Sequence, residues 1–175
     1  MRKESVRCVF CYAYRPGDLR DGGFAVNVFS DDTLSFSTYD GRRHLLAEQR
    51  FVLPAGTHQR VLGYIRAADD WLWNFPARMV ARQPSRQIAT VGLDGYALFQ
   101  LEDFAELLNC GFLSTRGHCA RLMFNLLEDI GAALGSCGFR LNLDSFGWNE
   151  GDPLIRRWQE PAAEEKPAQR RRWLG

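Results

Sequence analysis

Residues 24–53 have the sequence FAVNVFSDDTLSFSTYDGRRHLLAEQRFVL, in which apolar and polar residues alternate around two groups of turn-forming residues. Alternation is typical of β-strands, because successive side chains point to opposite faces of a sheet. Asp40-Gly41 is the pair favoured in a two-residue type I′ hairpin turn, in which both central residues need positive φ. The stretch therefore predicts a three-stranded antiparallel meander with one buried face.

The two turns of the meander predict its registers. With the second turn at Asp40-Gly41, Phe36 lies opposite Leu45 on the buried face. Val28 joins that face only if the first turn contains an odd number of residues, which places Val28 opposite Leu34. An even number would split the apolar face, because a one-residue slip turns every side chain to the other side. The buried face also takes Val26 and Ala47, and the opposite, more polar face carries Asn27, Ser35, Ser37, His44, Glu48 and Arg50.

One strand is predicted before the meander and one helix after it. Residues 5–14 alternate as a strand does. Its apolar side carries Val6, Cys8, Phe10, Tyr12 and Tyr14. Thr57 is placed to cap a helix over residues 58–74, which ends before Pro76. Residues 76–87 are predicted to be a polar connector.

A second hairpin is predicted over residues 88–101, around Asp94-Gly95. A two-residue turn at that pair places Val91 opposite Leu98. Both faces of this strand pair are apolar, so we expect each face to be covered.

The strongest helical pattern lies at residues 116–137, where apolar residues recur with the 3.6-residue period of a helix. A short helix from Asp103 to Gly111 is expected before it, and a final strand over residues 139–144 after it. The long helix is predicted to bury a stripe made of Cys119, Leu122, Met123, Leu126, Leu127, Ile130, Ala133, Leu134 and Cys137.

This order of elements predicts an α+β fold. The predicted antiparallel sheet contains the N-terminal strand, the meander, the second hairpin and the final strand, packed by two main helices and one short helix. We expect residues 1–152 to form a single domain. Residues 153–175 are rich in Pro, Ala, Glu and Arg, and are expected to form a flexible tail because they offer little apolar surface to bury.

The composition indicates a soluble chain without a strong electrostatic preference. The sequence is 46% hydrophobic and 25% charged with a net charge of +1, so long-range attraction to nucleic acid or anionic lipid is not expected. No apolar run approaches the roughly 18 residues of a membrane-spanning helix, and no signal-peptide core follows the first residues. Five cysteines without a secretory signal indicate free thiols in a reducing cytoplasm.

Cys8 and Cys11 form a C-x-x-C motif. Neither a second C-x-x-C nor an H-x-x-H is present to complete a zinc site. In a regular strand the two side chains point to opposite faces, and a redox pair would instead begin at a helix N-terminus. We therefore interpret them as structural thiols and expect no bound metal or cofactor.

Recognised enzyme motifs are missing, including G-x-S-x-G, H-E-x-x-H, the P-loop and G-x-G-x-x-G. His118 has no Cys, Ser or carboxylate partner that the sequence identifies. The adjacent carboxylates Asp31-Asp32 and Asp69-Asp70 fit a turn and the exposed side of a helix. The sequence favours a non-enzymatic protein; the alternative is an unrecognised active site near His118 or on the polar face of the meander.

Trp71 and Trp73 lie two residues apart on a predicted helix, about 200° around its axis, so they cannot both face the core. One of them is expected to be exposed, either packed on the rim of the sheet or available to a partner. Arg78, Arg82 and Arg86 follow at intervals of four, and their guanidinium groups either contact phosphate or solvate the connector. These five residues are called the Trp/Arg surface below, because tryptophan and arginine are enriched in binding hot spots.

The sequence thus predicts a small cytoplasmic binding protein of the inhibitor or adaptor type. It would act on a macromolecular partner through the Trp/Arg surface. A protein partner is favoured over nucleic acid because the net charge is near zero.

Overall fold

The computed structural model describes residues 5–15, 22–79, 88–102, 107 and 114–135. Its seven strands form one sheet in the order β4-β3-β2-β1-β6-β7-β5. The strands are β1 Cys8–Arg15, β2 Gly23–Phe29, β3 Thr33–Tyr39, β4 Leu45–Val52, β5 Arg78–Met79, β6 Ile88–Leu93 and β7 Ala97–Glu102. The helices in the described part are α1 Thr57–Ala67, α2 Asp69–Leu72 and α3 Thr115–Gly135. The sheet is antiparallel except where β5 runs parallel to β7, so the α+β prediction is confirmed.

The strand β1 joins the meander to the second hairpin, because it pairs with β2 on one side and with β6 on the other. Every second residue from Phe10 to Tyr14 has its side chain on the buried face of β1, as the sequence predicts; these residues are Phe10, Tyr12 and Tyr14. Val6 and Cys8 are exposed, so the prediction that the apolar side continues through them is wrong. The buried residues of the sheet, α1 and α3 form one hydrophobic core.

The first turn of the meander has the predicted register. Val28 lies opposite Leu34, and both side chains are buried. The Oδ1 atom of Asp31 accepts hydrogen bonds from the backbone N–H and the hydroxyl of Thr33, at 3.2 and 2.6 Å. Asp32 has a φ of 58°, a left-handed conformation that aspartate tolerates in turns.

The register predicted for the second turn is wrong. Phe36 lies opposite Gln49 rather than Leu45, a shift of four residues. The cause is the side chain of Asp40, whose Oδ1 accepts the backbone N–H groups of Arg42 and His44, each at 2.8 Å. The loop therefore contains five residues, 40–44, instead of two, and a bulge at Leu46 adds the fourth residue of the shift. Beyond the bulge the shift is even, so residues 47–52 keep their predicted faces, whereas Leu45 lies opposite Tyr39 and so on the other face. Leu45 and Ala47 are exposed rather than buried.

The second hairpin also has a longer turn than predicted. Val91 lies opposite Phe99, and Leu98 is displaced to the outer face, where it is 66% exposed. The loop contains three residues, in which Asp94 and Gly95 have φ values of 26° and 83°. The expectation that both faces of this hairpin are covered is therefore wrong at Leu98.

The helix predicted over residues 58–74 is divided at Ala68 into α1 and α2, a difference for which the local sequence offers no breaker. Thr57 is not the N-cap, since it is the first helical residue and its hydroxyl donates to the carbonyl of Pro54 at 2.6 Å. The N-cap position belongs to Gly56, whose φ of 83° favours glycine. Residues 76–87 are not wholly a connector, because Arg78 and Met79 form β5.

The long helix α3 confirms the predicted stripe over the residues that are described. Its buried residues include Met123, Leu126, Leu127, Ile130, Ala133 and Leu134, whereas Cys119 and Leu122 are half-buried. Cys137, the final strand over 139–144, the caps of the short helix and the tail 153–175 lie outside the described residues. No helix in the described part is long and apolar enough to cross a membrane.

Replacing Leu126 with alanine is expected to lower the free energy of unfolding by about 2–5 kcal/mol, because it leaves a cavity in the buried stripe of α3. Urea unfolding followed by circular dichroism measures the change. The control is Glu128→Ala, an exposed position of the same helix, which should change stability by less than about 0.5 kcal/mol. Equal effects of the two substitutions would contradict the assigned stripe.

Candidate functional site

The two tryptophans of the Trp/Arg surface differ in exposure, as their spacing predicts. Trp71 lies in α2 and is half-buried, with its ring centroid 5.4 Å from that of Phe75. Trp73 follows α2 and is 74% exposed. The exposed indole is therefore Trp73, and Trp71 contributes mainly to the packing of α2.

The exposed indole of Trp73 is held by two neighbours. Its Nε1–H donates to Oδ1 of Asp69 at 2.8 Å, and its ring centroid lies 5.6 Å from that of Tyr96. A hydrogen bond to Asp69, together with burial, raises the pKa of Tyr96. Tyr96 belongs to the loop between β6 and β7, so the sheet and α2 together fix the orientation of Trp73.

The arginine half of the Trp/Arg surface is only partly described. Arg78 lies on β5, and its Nε–H donates to Oε1 of Glu102 on β7 at 3.1 Å, with a second bond from its terminal nitrogen. Glu102 is only 6% exposed, so removing Arg78 from it would leave a buried carboxylate unpaired. Arg82 and Arg86 lie outside the described residues. The structure therefore gives Arg78 a structural partner.

His118 lies in the first turn of α3 and is exposed. Its backbone N–H donates to the carbonyl of Ser114 at 3.0 Å, and the Ser114 hydroxyl accepts from Gly117. Within the described part of the chain, its imidazole makes no side-chain hydrogen bond to a carboxylate, thiol or hydroxyl group. These contacts account for the start of α3 and supply no general-base arrangement.

The polar face of the meander is partly closed to solvent. The side-chain amide of Asn27 donates to the hydroxyl of Ser35 at 3.1 Å, and both Ser35 and Ser37 are buried. At the outer strand, Arg50 donates to Glu48 at 2.9 Å in an exposed ion pair. These contacts join neighbouring residues of the sheet and assemble no nucleophile with a base.

Asp32 and His58 form a half-buried pair that the sequence analysis does not identify. Oδ2 of Asp32 accepts the backbone N–H of Gly56 at 2.7 Å, and Oδ1 accepts that of His58 at 2.8 Å. Oδ1 also lies 2.8 Å from Nδ1 of His58, which places the proton of a neutral imidazole on Nδ1. The residues are 26 positions apart, so neither local pattern nor spacing signals their contact.

The electrostatics of this pair fit a helix cap. Burial raises the pKa of Asp32, but hydrogen bonds from the backbone of His58 and Gly56 and from the His58 ring outweigh it, and the pKa lies below its ordinary value. A histidine that is oriented by an aspartate can act as a general base. Here, however, every described contact of the Asp32 carboxylate stabilises the start of α1. We assign it a structural role.

Cys8 and Cys11 lie on the same face of the sheet, so the prediction that they point to opposite faces is wrong. A bulge at Val9 places Cys8 opposite Phe29 and Cys11 opposite Asn27, which puts both cysteines on the same face. Burial raises the pKa of Cys11 to about 11 and also raises that of Cys8, whose thiol donates to the carbonyl of Phe10. Protonated thiols are poor nucleophiles, and the described residues contain no group of three potential metal ligands.

The sequence matches no protein-family model, and no curated protein matches it.

Replacing Asp32 with alanine is expected to lower the free energy of unfolding at neutral pH by about 0.5–2 kcal/mol, the usual effect of losing a helix cap. Because the folded-state pKa of Asp32 is below 3.8, its contribution is complete above that pH and is lost as the pH falls through the folded-state pKa. The difference between the two proteins should therefore shrink on acidification.

Urea unfolding from about pH 7 to about pH 2.5 tests this expectation. The control is Asp31→Ala, which removes the hydrogen bonds to Thr33 and leaves α1 capped. A stability difference for Asp32→Ala that stays constant over the whole pH range would contradict the assigned role of the carboxylate.

Proposed function

We propose that the protein is a cytoplasmic binding protein that recognises another protein through a contact surface anchored by Trp73. The observation that supports this function is an indole that is 74% exposed and yet held in one orientation. Its supports are the Asp69 carboxylate and the Tyr96 ring. Inhibitor or adaptor activity would follow from occupying a surface of the partner.

An exposed but fixed tryptophan suits binding for two physical reasons. Tryptophan offers a large apolar area and is among the residues most enriched in binding hot spots. Its orientation is already restricted in the free protein, so less conformational entropy is lost when a partner covers it. The indole N–H is satisfied by Asp69, so a partner can cover the ring without leaving that donor unpaired.

A protein partner is favoured over nucleic acid by the charges around Trp73. Arg78 is paired with Glu102, which removes one of the three arginines proposed to contact phosphate. Asp69 lies directly against the indole, and a carboxylate beside the anchor repels a phosphate backbone. The enzyme alternative near His118 or on the polar face of the meander gains no support from the hydrogen bonds described there.

The substitution Trp73→Ala is expected to weaken binding of a recovered partner by about 2 kcal/mol or more, which is roughly 30-fold, without changing the folding of the chain. A pull-down from the source cell compares the wild type with Trp73→Ala. The control is Tyr64→Ala, which truncates another exposed aromatic side chain, on α1. Retention of every partner by Trp73→Ala would refute the proposal.

A salt titration of the recovered complex separates the two partner classes. A protein partner held by the indole should show weak salt dependence, whereas a nucleic acid should show a log–log slope of about −0.9 for each phosphate contact. Two contacts from Arg82 and Arg86 would give a slope of about −1.8 on duplex DNA. A slope that steep, abolished by Arg82→Ala and Arg86→Ala but not by Trp73→Ala, would favour nucleic acid instead.

A further inference from the structure

Among the strands that the structure describes, β4, the outermost strand of the meander, is an exposed edge of the sheet. In the described part of the chain, β4 has β3 as its one strand neighbour. At the other edge, β5 contains two residues and offers little backbone for pairing. By contrast, β4 contains eight residues, and its side chains of Leu46 and Val52 are 66% and 87% exposed. A long edge with exposed apolar side chains is a template for another strand.

Proteins commonly protect such an edge with charged side chains, proline or bulges. In β4 a bulge lies at Leu46, near the start of the strand, and residues 47–52 form a regular ladder with β3. The charges on β4 have opposite signs: Glu48 and Arg50 flank Gln49 and lie on the same side of the strand. They contact one another within the chain at 2.9 Å and remain accessible to solvent. This pattern is complementary to itself when the strand is reversed, so it does not repel an antiparallel copy.

Symmetry restricts how two copies of β4 can pair. Directly opposite residues in an antiparallel pair alternate between two hydrogen-bonding arrangements. A two-fold axis relates equivalent residues, so one residue must lie opposite its own copy. Registers centred on Glu48 or Arg50 place like charges opposite each other, which is destabilising. The register centred on Gln49 places Glu48 of each chain opposite Arg50 of the other.

We propose that the protein forms a two-fold symmetric dimer through antiparallel pairing of its β4 strands, centred on Gln49. The occupant of the edge is a second copy of this chain. Two symmetry-related Glu48–Arg50 pairs set the register on the outer face of the sheet. The same register brings Val52 to the start of the other copy's β4, where Leu46, the extra residue of the bulge, is also exposed. The two seven-stranded sheets would become continuous.

Charge reversal tests both the dimer and its register. Glu48→Arg alone places arginine opposite arginine at two sites, and Arg50→Glu alone places glutamate opposite glutamate. Each single variant is expected to raise the dimer dissociation constant by about tenfold or more. Light scattering coupled to size exclusion, over a concentration series at low salt, measures the association.

An equimolar mixture of the two single variants is the decisive sample. Every opposed pair in the mixed dimer joins arginine to glutamate, so the heterodimer should form at concentrations where each variant alone associates only weakly. The double variant E48R/R50E should likewise recover the wild-type association. The mixed sample also controls for the loss of the intrachain contact between Glu48 and Arg50, because mixing does not restore that contact. Circular dichroism checks that each variant is folded.

Three results would overturn the proposal. The first is a wild-type protein that stays monomeric up to concentrations on the order of 1 mM. The second is a dimer that both single variants leave unchanged, which would place the interface elsewhere. The third is a pair of folded monomeric variants that do not associate on mixing, which would reject the register centred on Gln49.

Discussion

The carboxylate of Asp32 fixes three parts of the fold relative to one another. The two carboxylate oxygens accept the backbone N–H groups of Gly56 and His58 at the start of α1. The backbone carbonyl of Asp32 accepts the N–H of Leu53, just after β4. Asp32 itself lies in the turn between β2 and β3, in a left-handed conformation. One residue therefore determines where the meander ends and in which direction α1 leaves the sheet.

The position of the exposed tryptophan follows from that constraint. Once α1 is anchored at its N-terminus, its apolar face packs into the shared core through Val61, Leu62 and Ile65. The chain then turns at Ala68 into α2, which contains Asp69. Trp73 follows α2 directly and lies beside Tyr96 of the β6–β7 loop. Because Trp73 is held from both sides, its exposure is a property of the whole packing arrangement.

Hydrophobic periodicity predicts the elements of this fold well and the lengths of its turns poorly. The stripe of α3 and the pairing of Val28 with Leu34 follow from patterns that burial enforces. Both incorrect registers arise at Asp-Gly pairs, where Asp40 and the three-residue loop at Asp94 lengthen the turn.

At the candidate site, helical spacing predicts that one tryptophan is exposed. The contacts of Arg78 with Glu102 and of Asp32 with His58 span 24 and 26 residues, a separation that local patterns do not encode.

The longer turn at Asp40 also explains why β4 is the most exposed strand of the meander. The longer turn and a bulge at Leu46 together shift the register by four residues, which keeps residues 47–52 on their predicted faces. The shift moves Leu45 and Leu46 to the end of the strand, beyond the buried part of β3. The positions opposite the well-buried middle of β3 are then occupied by Glu48, Gln49 and Arg50. The carboxylate hydrogen bonds of Asp40 and the bulge at Leu46 thus place a short, self-complementary charge pattern at the centre of the edge strand and leave apolar residues on either side of it.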